Sequence, residues 1–183
     1  NQLPSHFDST SSYDLMNFRR LAASPGTAPS SAVEPLSKAA LARQLLESID
    51  TSPVGFAVFD RVLVTVHPAG CAVHDFFVLR LTEANGVASA RGLTRLPTSP
   101  ADLMLRMVNH MVDSYLDLRR LLTRELTGLQ RELLDPKSRF QDWQVLLDSR
   151  NALHLLEDTC EDQRSAIQEW IDSLLQWPEA SAT

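Results

Sequence analysis

Lysine is nearly missing from this chain. Lys38 and Lys137 are the only two in 183 residues, and arginine supplies the other 15 of the 17 basic side chains. With 23 acids the net charge is −6, which argues against a nucleic-acid or anionic-membrane surface, since both need clustered Lys and Arg. Cysteine is scarce too: Cys71 and Cys160 fall in separate elements, and their spacing implies no bridge, which suits a reducing, cytoplasmic setting. No run approaches the ~20 apolar residues of a membrane span, and no secretory leader opens the chain. The six glycines form no phosphate-cradling loop, and there is neither a Walker sequence nor a Gly-x-Ser-x-Gly elbow. Nothing in the residues alone marks an enzyme. What remains is an ordinary globular composition, 44% hydrophobic and 22% charged, enough for one core and an appendage. The start at Asn1, without Met, and the loose end after Trp177 are expected of a piece of a larger protein.

The strongest signal runs from Ser99 to Leu174 and reads as two long helices joined at Asp135-Pro136-Lys137-Ser138. Ser99 stands at an N-cap, Pro100 at the first helical position and Asp102 at the third, where its charge meets free N–H groups and the positive end of the dipole. Met104, Val108, Met111, Tyr115, Leu118, Leu122, Leu126, Leu129 and Leu133 then recur every three or four residues, an apolar stripe down one helix. Pro136 ends it. Ser138 and Gln141 form a capping box for the second helix, whose stripe is read as Trp143, Leu146, Leu153, Cys160, Ile167, Ile171 and Leu174. Arg150, Glu157 and Arg164 fall on the same seam. From Phe140 to Trp177 eight acids face two bases, a net of −6. So short a joint makes the helices antiparallel, an arm of ~50 Å at 1.5 Å per residue.

Ahead of the hairpin, residues 4–11 are turn-rich, and Tyr13 to Leu21 alternates as a strand. Residues 22–35 form a solvated loop. Leu36 to Ile49 is a short amphipathic helix with Leu41, Leu45 and Ile49 on one face. Val54 to Phe59 and Val62 to Val66 flank Asp60-Arg61 as a β-hairpin; both strands are nearly continuous apolar runs, so helices are expected over both faces of the sheet. A helix from Cys71 to Leu81 would set Val73, Phe76 or Phe77, and Leu79 or Leu81 on that sheet. Asn85-Gly86 closes it, and Arg91 to Pro97 is extended. The fold class is α/β (α+β): a small mixed sheet covered by helices, followed by a long antiparallel helical hairpin arm. The expected domains are an α/β sheet domain over 1–97 with an insertion-like loop and helix at 22–50, the hairpin over 98–177, and a tail at 178–183.

Candidate chemistry is sparse. His67, Cys71 and His74 offer soft ligands for zinc, but they straddle a strand-to-helix junction and a fourth ligand is not evident. His110 and His154 read as edge or interface residues of the long helices rather than as bases. Asp113 and Asp117 lie one turn apart, as a solvated face or a weak cation site. Glu157, Asp158, Glu161 and Asp162 keep an arm soluble, and such a face also attracts Mg²⁺ diffusely. Asp102 is fully explained as a cap.

Three stretches in this order resemble the cytoplasmic domain of the CorA family of divalent-cation transporters. They are the hairpin from Val54 to Val66, the lead-in Arg-Leu-Pro-Thr-Ser-Pro-Ala-Asp-Leu-Met-Leu from Arg95 to Leu105, and Asn-His-Met-Val-Asp-Ser-Tyr from Asn109 to Tyr115. Ser12 to Arg20 is similar to the family's first clear strand, and 22–50 looks like an insertion. The resemblance implies a homopentamer at the cytoplasmic face of the inner membrane, each subunit bearing an α/β domain, two acidic arm helices and a stalk leading to the spans. The Gly-Met-Asn signature and both C-terminal spans, the only route to the membrane, are absent here. In the family, Mg²⁺ bound by carboxylates between neighbouring subunits holds the channel closed. Asp102 matches one of those acids; its partner would lie on the neighbour's stalk, so Mg²⁺ should bind the isolated chain weakly. The implied function is regulatory ion sensing in a Mg²⁺/Co²⁺ channel, without catalysis. ZntB-type zinc transporters share this architecture and are the alternative. A free-standing α/β adaptor, docking a protein partner through the arm, is the reading from another class.

Overall fold

The computed structural model describes residues 3–23, 38–84, 96–137 and 143–176. Its elements in chain order are β1 (His6–Ser9), β2 (Asp14–Arg19), β3 (Ala22–Ala23), α1 (Lys38–Glu47), β4 (Ile49–Asp50), β5 (Pro53–Val58), β6 (Leu63–Val66), α2 (Ala72–Ala84), α3 (Pro100–Leu134) and α4 (Trp143–Gln176). The strands make a four-stranded sheet in the order β1-β2-β5-β6 and a separate β3-β4 pair. This is the α/β class expected, with one refinement: every strand pair is antiparallel. The chain forms two compact units. One comprises Asn1–Arg19, Ser52–Met111 and Thr159–Thr183; the other comprises Arg20–Thr51 and Val112–Asp158.

The first unit is built on the sheet. The β5-β6 hairpin turns through Asp60 and Arg61 as expected, with the Phe59 N–H donating to the Val62 carbonyl at 2.9 Å. Residues 4–11 are not merely turn. They contain β1, paired with β2 from His6↔Asn17 to Ser9↔Asp14, and Thr10 closes the link through its N–H to the Tyr13 carbonyl at 3.0 Å. Cross-strand partners Met16 and Phe56, and Phe18 and Val54, lie on one face with Val58. That face meets Val73 and Phe77 of α2, Met104, Met107, Val108 and Met111 of α3, and Trp170 of α4 in one core. Of the α2 alternatives, Val73 and Phe77 are therefore the inward pair, while Phe76 and Leu79 are exposed.

The expectation that both faces of the sheet are covered is wrong. Leu15, Val64 and Val66 lie on the opposite face and are 37%, 45% and 71% exposed. Strands alternate their side chains between faces, so a continuous apolar run does not by itself require two buried sides. The left-handed φ of 72° at Gly70 turns the chain from β6 into α2, a conformation that favours glycine.

In the second unit α1 packs its alanines. Ala39 and Ala42 share a core with Leu129 of α3 and Val145 of α4, flanked by Leu126, Leu133 and Leu146. The buried face of α1 is thus Ala39, Ala42 and Leu45 rather than Leu41, Leu45 and Ile49; Ile49 belongs to β4. Arg43 reaches Asp148 of α4 at 3.1 Å, and Arg20 pairs with Asp50 at 3.1 Å. Leu129 of α3 meets Val145 of α4 in the second unit, and the start of α3 meets Trp170 of α4 in the first.

Helix α4 buries a different stripe from the one its hydropathy suggests. Val145, Ser149, Thr159, Gln163, Ala166 and Trp170 are buried, with Ala152 and Leu156 half-buried between them. The steps are four and three throughout. This seam lies one residue, about 100° of helix, from the expected one. Arg150, Glu157 and Arg164 are accordingly exposed, as are Trp143, Leu153, Cys160, Ile171 and Leu174. The middle of the packed face is small and polar, not charged. Ser149 back-bonds to the Val145 carbonyl at 2.6 Å, and Gln163 donates to the Arg19 carbonyl. The expected capping box at Ser138 and Gln141, the Asn85-Gly86 stop, the 91–95 extension and most of the 22–35 loop lie outside the described residues.

Candidate functional site

The start of α3 is built as its sequence dictates. Ser99 caps the helix: its hydroxyl accepts the Asp102 N–H at 3.1 Å, and its carbonyl accepts the Leu103 N–H at 3.0 Å. Pro100 fills the first position, where no N–H is needed. Asp102 Oδ2 accepts from the Thr98 N–H at 2.8 Å and the Thr98 hydroxyl at 3.2 Å. Arg106, one turn on, adds a two-pronged contact, Nε to Oδ1 at 3.0 Å and Nη2 to Oδ2 at 3.0 Å. The two side chains are only 24% and 33% exposed. The Arg106 guanidinium first, then the Thr98 backbone N–H, hold the Asp102 carboxyl at about 2, against an ordinary 3.8. Hydrogen bonds and positive charge both favour the ionised form.

The signal for Arg106 is its spacing, since an acid four residues before a base on one helix is a pairing pattern. Asp102 is therefore more than a cap. It anchors a local network that ties Thr98, Ser99 and the first turn together.

The other candidates do not assemble. Glu157, Asp158 and Glu161 are exposed on α4 and Asp162 is half-buried; Glu157 lies 3.6 Å from His154. His67 and His74 do come together, their rings stacked with centroids 4.3 Å apart, and His74 Nδ1 is 3.0 Å from Asp75. His110 stacks on Phe76 at 4.2 Å, as an edge residue would. Among the described residues, no group of three or more His, Cys, Asp or Glu side chains could hold a metal ion.

A cavity of about 440 Å³ lies beside the α3 N-terminus, between Thr10–Asp14, Val58–Asp60 and Leu174. A larger one, about 900 Å³, runs along α3 past Arg119, Arg120, Arg124 and Arg131. Glu132 and Asp135 also line it, but four guanidiniums outnumber them and suit it poorly to a divalent cation. No described helix is long and apolar enough to cross a membrane.

Residues 38–182 match the family described as CorA-like Mg²⁺ transporter protein. The chain belongs to this family. In this CorA-like chain the matched range begins with α1, so residues 38–50 fall inside the family pattern and only 22–37 of the supposed insertion stays outside it. β1 and β2 precede the matched range, while the hairpin, the capped start of α3 and both long helices are within it. No curated protein and no solved structure matches the chain.

Proposed function

We propose that this chain is the regulatory, ion-sensing cytoplasmic part of a CorA-type divalent-cation channel with Mg²⁺ and Co²⁺ as cargo, acting as a homopentamer at the inner membrane and carrying out no catalysis. The family match over 38–182 carries the reading. The pore is assigned to segments other than the described helices, none of which is apolar enough to span a membrane.

In this reading Asp102 is the one carboxylate that the chain offers to an Mg²⁺ site shared with a neighbouring subunit. The residues around it do not fit a complete site: its lone pairs are taken by Arg106 and Thr98, and among the described residues it belongs to no group of three or more His, Cys, Asp or Glu side chains that could hold a metal ion. The acidic side chains of α4, Glu157, Asp158, Glu161 and Asp162, contribute only diffuse, salt-screened attraction. A hard cation between subunits would neutralise carboxylates that otherwise repel, and its loss would loosen the interface.

The test uses the full-length natural protein in membranes. Mg²⁺ and Co²⁺ should protect it from proteolysis in a saturable manner, and Asp102→Asn should raise the concentration required. Protection by Zn²⁺ alone would favour a zinc transporter. A digestion pattern indifferent to every divalent cation would overturn the proposal in favour of an adaptor.

A further inference from the structure

We infer that the arginine-lined face of α3 docks the acidic face of α4 from a second copy of this chain, with the two helices antiparallel. This interface lies apart from the proposed cation half-site and can fail while the homopentamer stands.

The groove of about 900 Å³ on α3 carries four arginines against Glu132 and Asp135, so it attracts negative charge. At 100° per residue, Arg120, Arg124 and Arg131 fall within about 40° of one another, on the side of α3 away from its buried Leu118 and Leu129. Arg120 and Arg124 pair with neighbours on the same helix, Asp117 at 3.1 Å and Glu125 at 2.7 Å, yet their side chains stay 78% and 62% exposed. Exposed pairs of this kind exchange partners at little cost. Arg119 and Arg131 have no acid partner among the described residues.

Helix α4 offers the complement. From Glu157 to Asp172 six acids stand against Arg164 alone, a net of −5, and Glu157, Asp158, Glu161 and Glu169 are exposed. His154 lies 3.6 Å from Glu157 and is itself exposed. The two charged runs match in length, since Arg119 to Arg131 and Glu157 to Glu169 each rise about 18 Å. Direction follows from the ends. In an antiparallel pair with Arg124 opposite Glu161, Arg120 sits between Glu161 and Glu169, Arg131 sits one turn from Glu157 and Asp158, and Asp135 faces Arg150. A parallel pair with the same Arg124 alignment sets Asp135 on Asp172, two like charges. The exposed Leu116 and Leu153 lie on these two faces and add apolar contact. One exposed ion pair contributes little, but several held in register form a network. Every copy carries both faces, so the contact is head-to-tail and its repetition by rotation closes a ring.

Analytical ultracentrifugation of the 183-residue chain is the test. Its self-association should weaken at least about tenfold as salt rises from roughly 0.05 to 0.5 M, because exposed charges make the contact. Arg120→Glu, Arg124→Glu and Arg131→Glu together should abolish association, as should Glu157→Arg, Asp158→Arg and Glu161→Arg together. Mixing the two reversed chains should restore it, since each then meets the opposite charge. If a triple variant loses its helical circular dichroism, the single reversals Arg124→Glu and Glu161→Arg take its place, each weakening association about threefold or more and recovering on mixing. Association indifferent to either reversal, or folded reversed chains that stay apart when mixed, would overturn the interface. A monomeric chain at low salt, with the full-length protein cross-linking as a pentamer in membranes, would overturn the interface alone. Charge-dependent association of the chain without a full-length pentamer would overturn that assembly and support the interface.

Discussion

The packed face of α4 can be tested by two adjacent residues. Gln163 is 4% exposed and its side-chain N–H bonds the Arg19 carbonyl at the end of β2; Arg164, next to it, is exposed. Gln163→Ala removes a buried donor and leaves a cavity, so the expected loss is about 1–3 kcal/mol. Arg164→Ala changes an exposed side chain and should stay within about 0.5 kcal/mol. Urea unfolding at neutral pH, followed by helical circular dichroism, separates them. With a slope of about 2 kcal/mol per molar, a loss of 2 kcal/mol moves the midpoint by roughly 1 M, while Arg164→Ala leaves it nearly in place. If Arg164→Ala costs more than Gln163→Ala, α4 packs on the charged seam its hydropathy suggests, and the small, polar seam is wrong.

Two further outcomes follow from the same structure. Phe56, 2% exposed in the sheet core, should cost about 3–5 kcal/mol when cut to alanine, whereas Val66→Thr on the open face should change the unfolding free energy by less than about 0.5 kcal/mol. Asp102 has a folded-state pKa of about 2, below its ordinary 3.8, so its contribution to stability is complete above that ordinary value and is lost as pH falls through it toward 2; Asp102→Asn should flatten the midpoint-versus-pH curve in that acid window, and an unchanged curve would show that the Arg106 contact does not persist in solution.

The legible parts of the chain are those where apolar residues alone fill the packed face. The α3 cap, its Met and Leu stripe and the β5-β6 hairpin belong here, because Ser99, Pro100 and Pro136 punctuate the helix and Val and Phe mark the strands. The buried face of α4 is hidden from hydropathy because Ser149, Thr159, Gln163 and Ala166 carry little of it, so the period favours the more apolar neighbouring face. The same holds for α1, whose alanines count for less than Leu41. β1 escaped because His6, Asp8 and Ser9 give a short edge strand no β-branched signal. For the candidate site, the position and capping of Asp102 are legible in the sequence, and its engagement by Arg106 carries only the weaker signal of i, i+4 spacing. The grouping of His67 with His74 was legible from their spacing, and their rings do stack, but no metal-holding set forms with Cys71 among the described residues.

The make-up of the two compact units has a practical consequence for dissecting this protein. The polypeptide crosses between them after Arg19, Thr51, Met111 and Asp158, so neither unit is a single stretch of sequence. A fragment ending at Pro97 would carry all four sheet strands and α2, yet lack Met104, Met107, Val108, Met111 and Trp170 from their shared core. A fragment of α3 and α4 alone would expose the same side chains from the other side. Terminal truncation therefore yields sticky, incomplete pieces rather than modules. A loss of binding or assembly on deleting either end would report a broken core before it reported a missing binding surface, and point substitutions on the exposed faces are the cleaner instrument.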